Sequence, residues 1–175
     1  MFKKNLLTFI ALVLNACGGG GIDEIQKPSL NVDNMLANWN KVNPVCIQLG
    51  SQSSYKESNI QLWWQDLKKV YTVYNNASCE STSVGTIYDT FLADWSAPVS
   101  ALVRQGAARV KLSSPQRLTE GVIPSPTIDL PTDSEFILFY AEDNQLYQYT
   151  VSSSADQDAD GYPLGINPPS STYRK

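Results

Sequence analysis

Histidine is absent from the 175 residues, and cysteine occurs only three times. Without an imidazole, Ser-His-Asp and Cys-His catalysis, His-ligated zinc and the usual near-neutral proton shuttle are excluded. Charge is scarce as well: Asp, Glu, Lys and Arg make up 17% of the chain, and the formal net charge is −4. An acidic chain with no basic cluster has little to offer a phosphate backbone, so no nucleic-acid partner is expected. The most prominent apolar run, Leu6–Leu14, has nine residues, well short of the ~20 that span a hydrocarbon core as a helix. What the chain does have is ten Gly, ten Pro, nine Tyr and four Trp. That mixture points to a β-rich domain with many turns rather than a helical bundle. The length suits one domain, or one domain with a tail.

Lys3 and Lys4 precede the Leu6–Leu14 run, the charged and apolar parts of an export signal. Leu14-Asn15-Ala16-Cys17 follows directly. These four residues resemble the lipobox of bacterial lipoproteins, in which a branched apolar residue three places before a cysteine and a small residue immediately before it mark the site. That cysteine is diacylated on sulfur, exposed by cleavage and then N-acylated. The resemblance implies that residues 1–16 are a signal peptide and that acylated Cys17, carrying palmitate-type chains, anchors the protein to the lipid bilayer. Each buried acyl methylene contributes ~0.8 kcal/mol, so two or more chains hold stably. Gly18–Gly21 begins a flexible tether running to residue 34, which frees a domain over 35–175 from the membrane surface. Glycine rather than aspartate after the cysteine is similar to lipoproteins of the Gram-negative outer membrane. The expected location is therefore the bacterial cell envelope, at the outer membrane.

With Cys17 taken by lipid, Cys46 and Cys79 remain in an oxidising compartment, and a single disulfide between them is expected. There is no third thiol and no CxxC spacing, so the bridge is expected to be structural rather than a thiol-exchange centre.

Beyond the tether the pattern turns to period two. Val45, Ile47 and Leu49 alternate with Cys46 and Gln48, and Ile60, Leu62 and Trp64 alternate with polar neighbours. Val70, Thr72 and Tyr74 share one face of a further strand, and Asn75–Ser78 supplies turn chemistry. Thr86–Trp95 continues with Ile87, Phe91, Ala93 and Trp95 on one side. Ser96–Gly106 carries helix punctuation, with a cap at Ser96, Pro98 in the first turn and Gly106 past the end. Val110–Leu112, Thr127–Leu130, Phe136–Tyr140 and Gln145–Val151 read as later strands, with Asp143-Asn144 closing a hairpin. The expected fold is mainly β: an antiparallel meander of about eight strands with one short helix.

Trp39, Cys46-Ile47, Ser54, Tyr71-Thr-Val-Tyr74 and Ser78-Cys79, with Asp160-Gly-Tyr-Pro163 and Pro169–Arg174 near the end, resemble small bacterial lipocalin-like lipoprotein domains. The resemblance covers residues 35–175. It implies that the meander closes into a lipocalin-like barrel, with the last strand returning to complete it. It also implies a non-enzymatic membrane-anchored lipoprotein that binds a small apolar ligand or an envelope protein partner. The alternative is a structural, accessory or surface-antigen lipoprotein with a filled barrel that acts only through its exterior.

Two sets of side chains are candidates for binding. Trp39, Trp64, Tyr71 and Trp95 either line an apolar ligand pocket or are ordinary core and rim aromatics. Asp156, Asp158 and Asp160, followed by Gly161, match the first six positions of a calcium loop, where alternate carboxylates converge on one hard cation. The twelfth position is Asn167 rather than a bidentate Glu, so the competing reading is a solvated acidic turn. No paired-carboxylate spacing singles out general acid–base chemistry and no SxxK occurs, so no enzyme and no catalytic residue is expected.

Overall fold

A computed structural model describes residues 32–96, 106–124, 128–165 and 168–175. The expected signal peptide, Cys17 and the expected tether up to residue 31 lie outside the described residues, as does the body of the expected helix at 97–105.

The described residues form a closed antiparallel β-barrel, with 57% of them in strands. Its strands are β1 Asn38–Lys41, β2 Ile47–Leu49, β3 Ser53–Leu62, β4 Asp66–Tyr74, β5 Ser83–Ser96, β6 Ala108–Gly121, β7 Glu135–Glu142, β8 Gln145–Thr150 and β9 Ser171–Arg174. From β3 to β9 each strand pairs with the next, and β1 closes the ring by pairing with both β9 and β3. β2 is a short addition on the same side of β3, so eight strands make the ring. Closure removes the open edges that an eight-stranded sheet would otherwise expose.

Local chemistry accounts for the turns and bends. Asp143 and Asn144 have φ of 48° and 60° between the Glu142–Gln145 pair. Two successive left-handed residues match the right-handed twist of the flanking strands. In β3 the pairing steps from Glu57–Tyr71 to Asn59–Val70, so Ser58 is an extra residue and the inward parity changes from Tyr55 and Glu57 to Ile60 and Leu62. β6 contains a larger irregularity: Thr90 pairs with Gln116 and Leu92 with Ser113, leaving Ser114 and Pro115 opposite Phe91. Ser114 takes φ of 50°, and Pro115, which has no N–H, sits where the ladder needs none.

That bulge corrects the sequence reading. Ser113-Ser114-Pro115 looks like a strand end, yet β6 runs through it for 14 residues instead of stopping after Leu112. The strand expected at Thr127–Leu130 does not form over the described residues 128–130. There the Ile128 carbonyl accepts a bond from Arg117 Nη1 at 2.5 Å. Val45 and Ile47 do not form a half-buried face: Val45 precedes β2, Ile47 opens it, and the two are 70% and 45% exposed at the rim.

The interior is divided into two layers. At the end where β3 turns into β4, Trp39, Leu62, Phe91, Trp95 and Phe139 pack into one buried cluster, and Val32 and Met35 plug it from below. Trp39 is fastened there by its indole N–H, which donates to the Met35 carbonyl at 2.7 Å, and Lys175 lies over the same ring. Burying side chains of this size contributes about 1.5–3 kcal/mol each. At the opposite end the inward positions turn polar.

Candidate functional site at the open end of the barrel

Strand register builds the polar layer. On β4 the inward positions after Leu67 are Lys69, Tyr71 and Val73; on β5 they are Ile87 and Asp89 above Phe91. Lys69 pairs with Asp89 across β4 and β5, and Asp89 pairs with Arg117 across β5 and β6, so three charges lie in one row. Arg117 Nε and Nη2 each donate to Asp89 at 2.6 Å, a two-pronged contact to a carboxylate that is 1% exposed. The carboxylate bond, above all, raises the Arg117 guanidinium above its ordinary value. Lys69 turns away from Asp89 to Glu135 on β7 at 2.7 Å, with the Phe91 ring beneath its ammonium.

Across the barrel, Lys41 Nζ donates to Ser171 Oγ at 2.5 Å and lies 3.2 Å from Glu57 Oε2. Tyr173 joins the two layers. Its ring belongs to the apolar cluster, while its hydroxyl meets Glu57 Oε1 at 2.5 Å and Gln148 Oε1 at 2.8 Å. Burial first, and Glu57 second, push the Tyr173 phenol far above its ordinary value. Burial also dominates the upward displacement of Tyr71, with Glu57, Asp89 and Glu135 adding to it. Both phenols are therefore neutral hydrogen-bonding groups.

Two cavities open onto this layer. One of about 570 Å³ is bordered by Lys41, Tyr55, Glu57, Tyr71 and Ser171, with Val45 and Ile47 at its mouth. Tyr55 and Tyr71 meet edge to face there, with ring centres 5.8 Å apart. The other, about 480 Å³, is bordered by Lys69, Glu135 and Gln148. Each cavity carries one matched pair in its lining, Lys41 with Glu57 in the first and Lys69 with Glu135 in the second.

The four aromatic candidates do not form one pocket. Trp39 and Trp95 belong to the packed cluster, and Trp64 packs against it, its ring 6.4 Å from Trp95. Only Tyr71 lies in the polar layer, at the larger cavity. The apolar end is filled by its own side chains, and the cavity that Tyr71 borders is lined by charged and polar groups as well as aromatic rings. Trp63, next to Trp64, is 47% exposed, as adjacent positions pointing to opposite sides require.

The calcium candidate does not assemble. Asp158 Oδ1 accepts the backbone N–H groups of Asp160 and Tyr162, and Asp156 Oδ2 accepts the hydroxyls of Ser152 and Ser153. Arg109 supplies the positive charge, pairing with Asp158 and reaching Asp160 at 3.6 Å. Among the described residues no group of three acidic, Cys or His side chains converges on a metal position. A guanidinium on β6, distant in sequence, takes the place of the ion.

Cys46 and Cys79 stand at disulfide-bonding distance, with Cα atoms 5.9 Å apart. The bridge ties the segment before β2 to the β4–β5 turn, where Cys79 takes φ of 55°. Ser54 holds that turn by donating to the Asn76 carbonyl at 2.6 Å and accepting the Cys79 N–H at 3.1 Å.

Lys41, Glu57, Lys69, Asp89, Arg117 and Glu135 were not visible as a group in the sequence. The available signal was their parity. Lys69 and Tyr71 fall between Leu67 and Val73 at period two, and Asp89 falls between Ile87 and Phe91. No protein-family model, curated protein or solved structure matches the chain.

Proposed function

We propose that this chain is a non-enzymatic lipoprotein of the bacterial cell envelope, held at the outer membrane by acylated Cys17, whose barrel takes up a small ligand at its open end. The observation that carries the ligand reading is the 570 Å³ cavity bordered by Lys41, Tyr55, Glu57, Tyr71 and Ser171. Its size falls within the range of small-molecule sites, and its few polar groups converge. The anchor rests on Lys3, Lys4, the Leu6–Leu14 run and Leu14–Cys17, and an oxidising compartment agrees with the Cys46–Cys79 pair. A second reading, an accessory lipoprotein acting only through its exterior, is favoured by the packed Trp39–Phe91–Trp95 end.

Cells expressing the full chain and fed labelled palmitate test the anchor. The wild-type protein should carry label and sediment with membranes, and Cys17→Ser should do neither; an unlabelled wild-type protein refutes it. Native mass spectrometry of the purified protein tests the cavity. A bound small molecule released on denaturation supports the first reading, and a bare mass with no ligand uptake supports the second.

A further inference from the structure

We infer that the open-end cavity bordered by Lys41, Tyr55, Glu57, Tyr71 and Ser171 binds a neutral saccharide, an inference that rests on the ligand-binding reading above. Charge balance comes first. Lys41 is already 3.2 Å from Glu57 and donates to Ser171. A ligand with net charge would have to part that pair and strand one member in a half-buried site, which is strongly unfavourable. An uncharged ligand leaves it whole.

Shape excludes an acyl chain. The apolar end is filled by Trp39, Phe91, Trp95 and Phe139, so a chain entering the barrel would lie against Lys41 and Glu57 and strip them of water with nothing in exchange. A hydroxyl both donates and accepts. Glu57 can only accept, Lys41 can only donate, and Tyr55, Tyr71 and Ser171 do either. This mixture satisfies a ring of hydroxyl groups in any orientation, whereas an aliphatic ligand satisfies none of it.

The remaining lining suits the other side of such a molecule. A pyranose presents C–H groups on its faces, and the cavity offers two aromatic rings and the side chains of Val45 and Ile47 at its mouth. Those two aliphatic residues are 70% and 45% exposed, so their side chains are free to pack against such a face. Polar groups at depth and apolar groups at the rim match an amphipathic ring held edge-in.

The full chain, purified in a polyoxyethylene detergent that contains no sugar, should be titrated calorimetrically with glucose, galactose, N-acetylglucosamine and maltose. Palmitate, glucuronate and glycine serve as the acyl, anionic and zwitterionic probes. At least one neutral sugar should bind, with Glu57→Gln weakening it tenfold or more and none of the three other probes competing. Tyr55→Ala, at the rim, provides a second variant in case Glu57→Gln unfolds, and it should weaken the same sugar while leaving the melting temperature within a few degrees. Binding of palmitate, glucuronate or glycine with no sugar binding overturns the saccharide inference but leaves an open-end ligand site standing. If no probe binds and the native mass is bare, both fail. A sugar that binds Glu57→Gln and Tyr55→Ala as tightly as the wild type places the site elsewhere and also overturns the inference.

Discussion

Replacing Arg117 by Met isolates the energetic demand of a polar layer inside a barrel. Asp89 is 1% exposed, and Arg117 reaches both of its carboxylate oxygens at 2.6 Å. Methionine keeps the aliphatic stem and removes the charge, leaving a buried carboxylate without its two-pronged partner. Removing one member of a buried pair costs about 3–5 kcal/mol, because the survivor remains desolvated. The lost bond to the Ile128 carbonyl at 2.5 Å adds about 1 kcal/mol. Lys69, the cross-strand neighbour of Asp89, limits the loss only if it abandons Glu135. The Asp89→Leu, Arg117→Met double variant removes both charges and should recover most of the difference, since apolar replacement of a whole pair is often neutral or stabilising. Guanidinium unfolding followed by tryptophan fluorescence measures all three proteins. A single variant within about 1 kcal/mol of wild type, or a double variant as unstable as the single, would refute the reasoning.

Three other perturbations follow from the same structure. Replacing Cys46 and Cys79 by Ser opens a loop of about 34 residues, which should cost roughly 4 kcal/mol and lower the melting temperature on the order of 10 °C; scanning calorimetry of wild type with and without reductant checks it. Trp39→Ala should cost about 3–5 kcal/mol by emptying the plugged end, and Trp39→Phe should cost less, the remainder reflecting the bond to Met35; an unchanged denaturation midpoint in both would contradict the packing described. Tyr71 and Tyr173 are displaced upward from an ordinary value of 10.0. A phenol raised in the folded state gives stability that is complete below that value and is lost as pH climbs past it. Stability should therefore fall above about pH 10, and their phenolate absorbance should appear only together with loss of fold; free titration of all nine tyrosines in the folded protein would count against it.

Strands with one apolar face were legible because period two survives burial on one side: Ile87, Phe91, Ala93 and Trp95 mark β5 directly. β6 was cut short because Ser114 and Pro115 look like a strand end when their partner is unseen. Only the register, with both residues opposite Phe91, turns a breaker into a bulge. The charged interior was hidden for a related reason. Glu57, Lys69, Asp89, Arg117 and Glu135 occupy core-facing positions, but each in isolation reads as solvated, and their partners lie on other strands. The acidic turn shows the same limit: alternate aspartates are a local signal, while Arg109, which pairs with Asp158, is some fifty residues away. Trp39, Trp64 and Trp95 were recognisable as one cluster's material, and whether aromatic side chains surround a space or fill it depends on Met35, Phe91 and Phe139, which composition does not position.

The seam between β1 and β9 sets the order in which the molecule can be made. Asn40 and Lys41 need Arg174 and Tyr173 as partners, so the ring stays open until the far end of the described barrel has folded back onto β1. Until then β1 can bond to β3 alone, and the Tyr173 ring is missing from the core. Completion therefore waits for β9, and a chain lacking Ser171–Arg174 would leave raw edges on β1 and β8 that the closed ring covers.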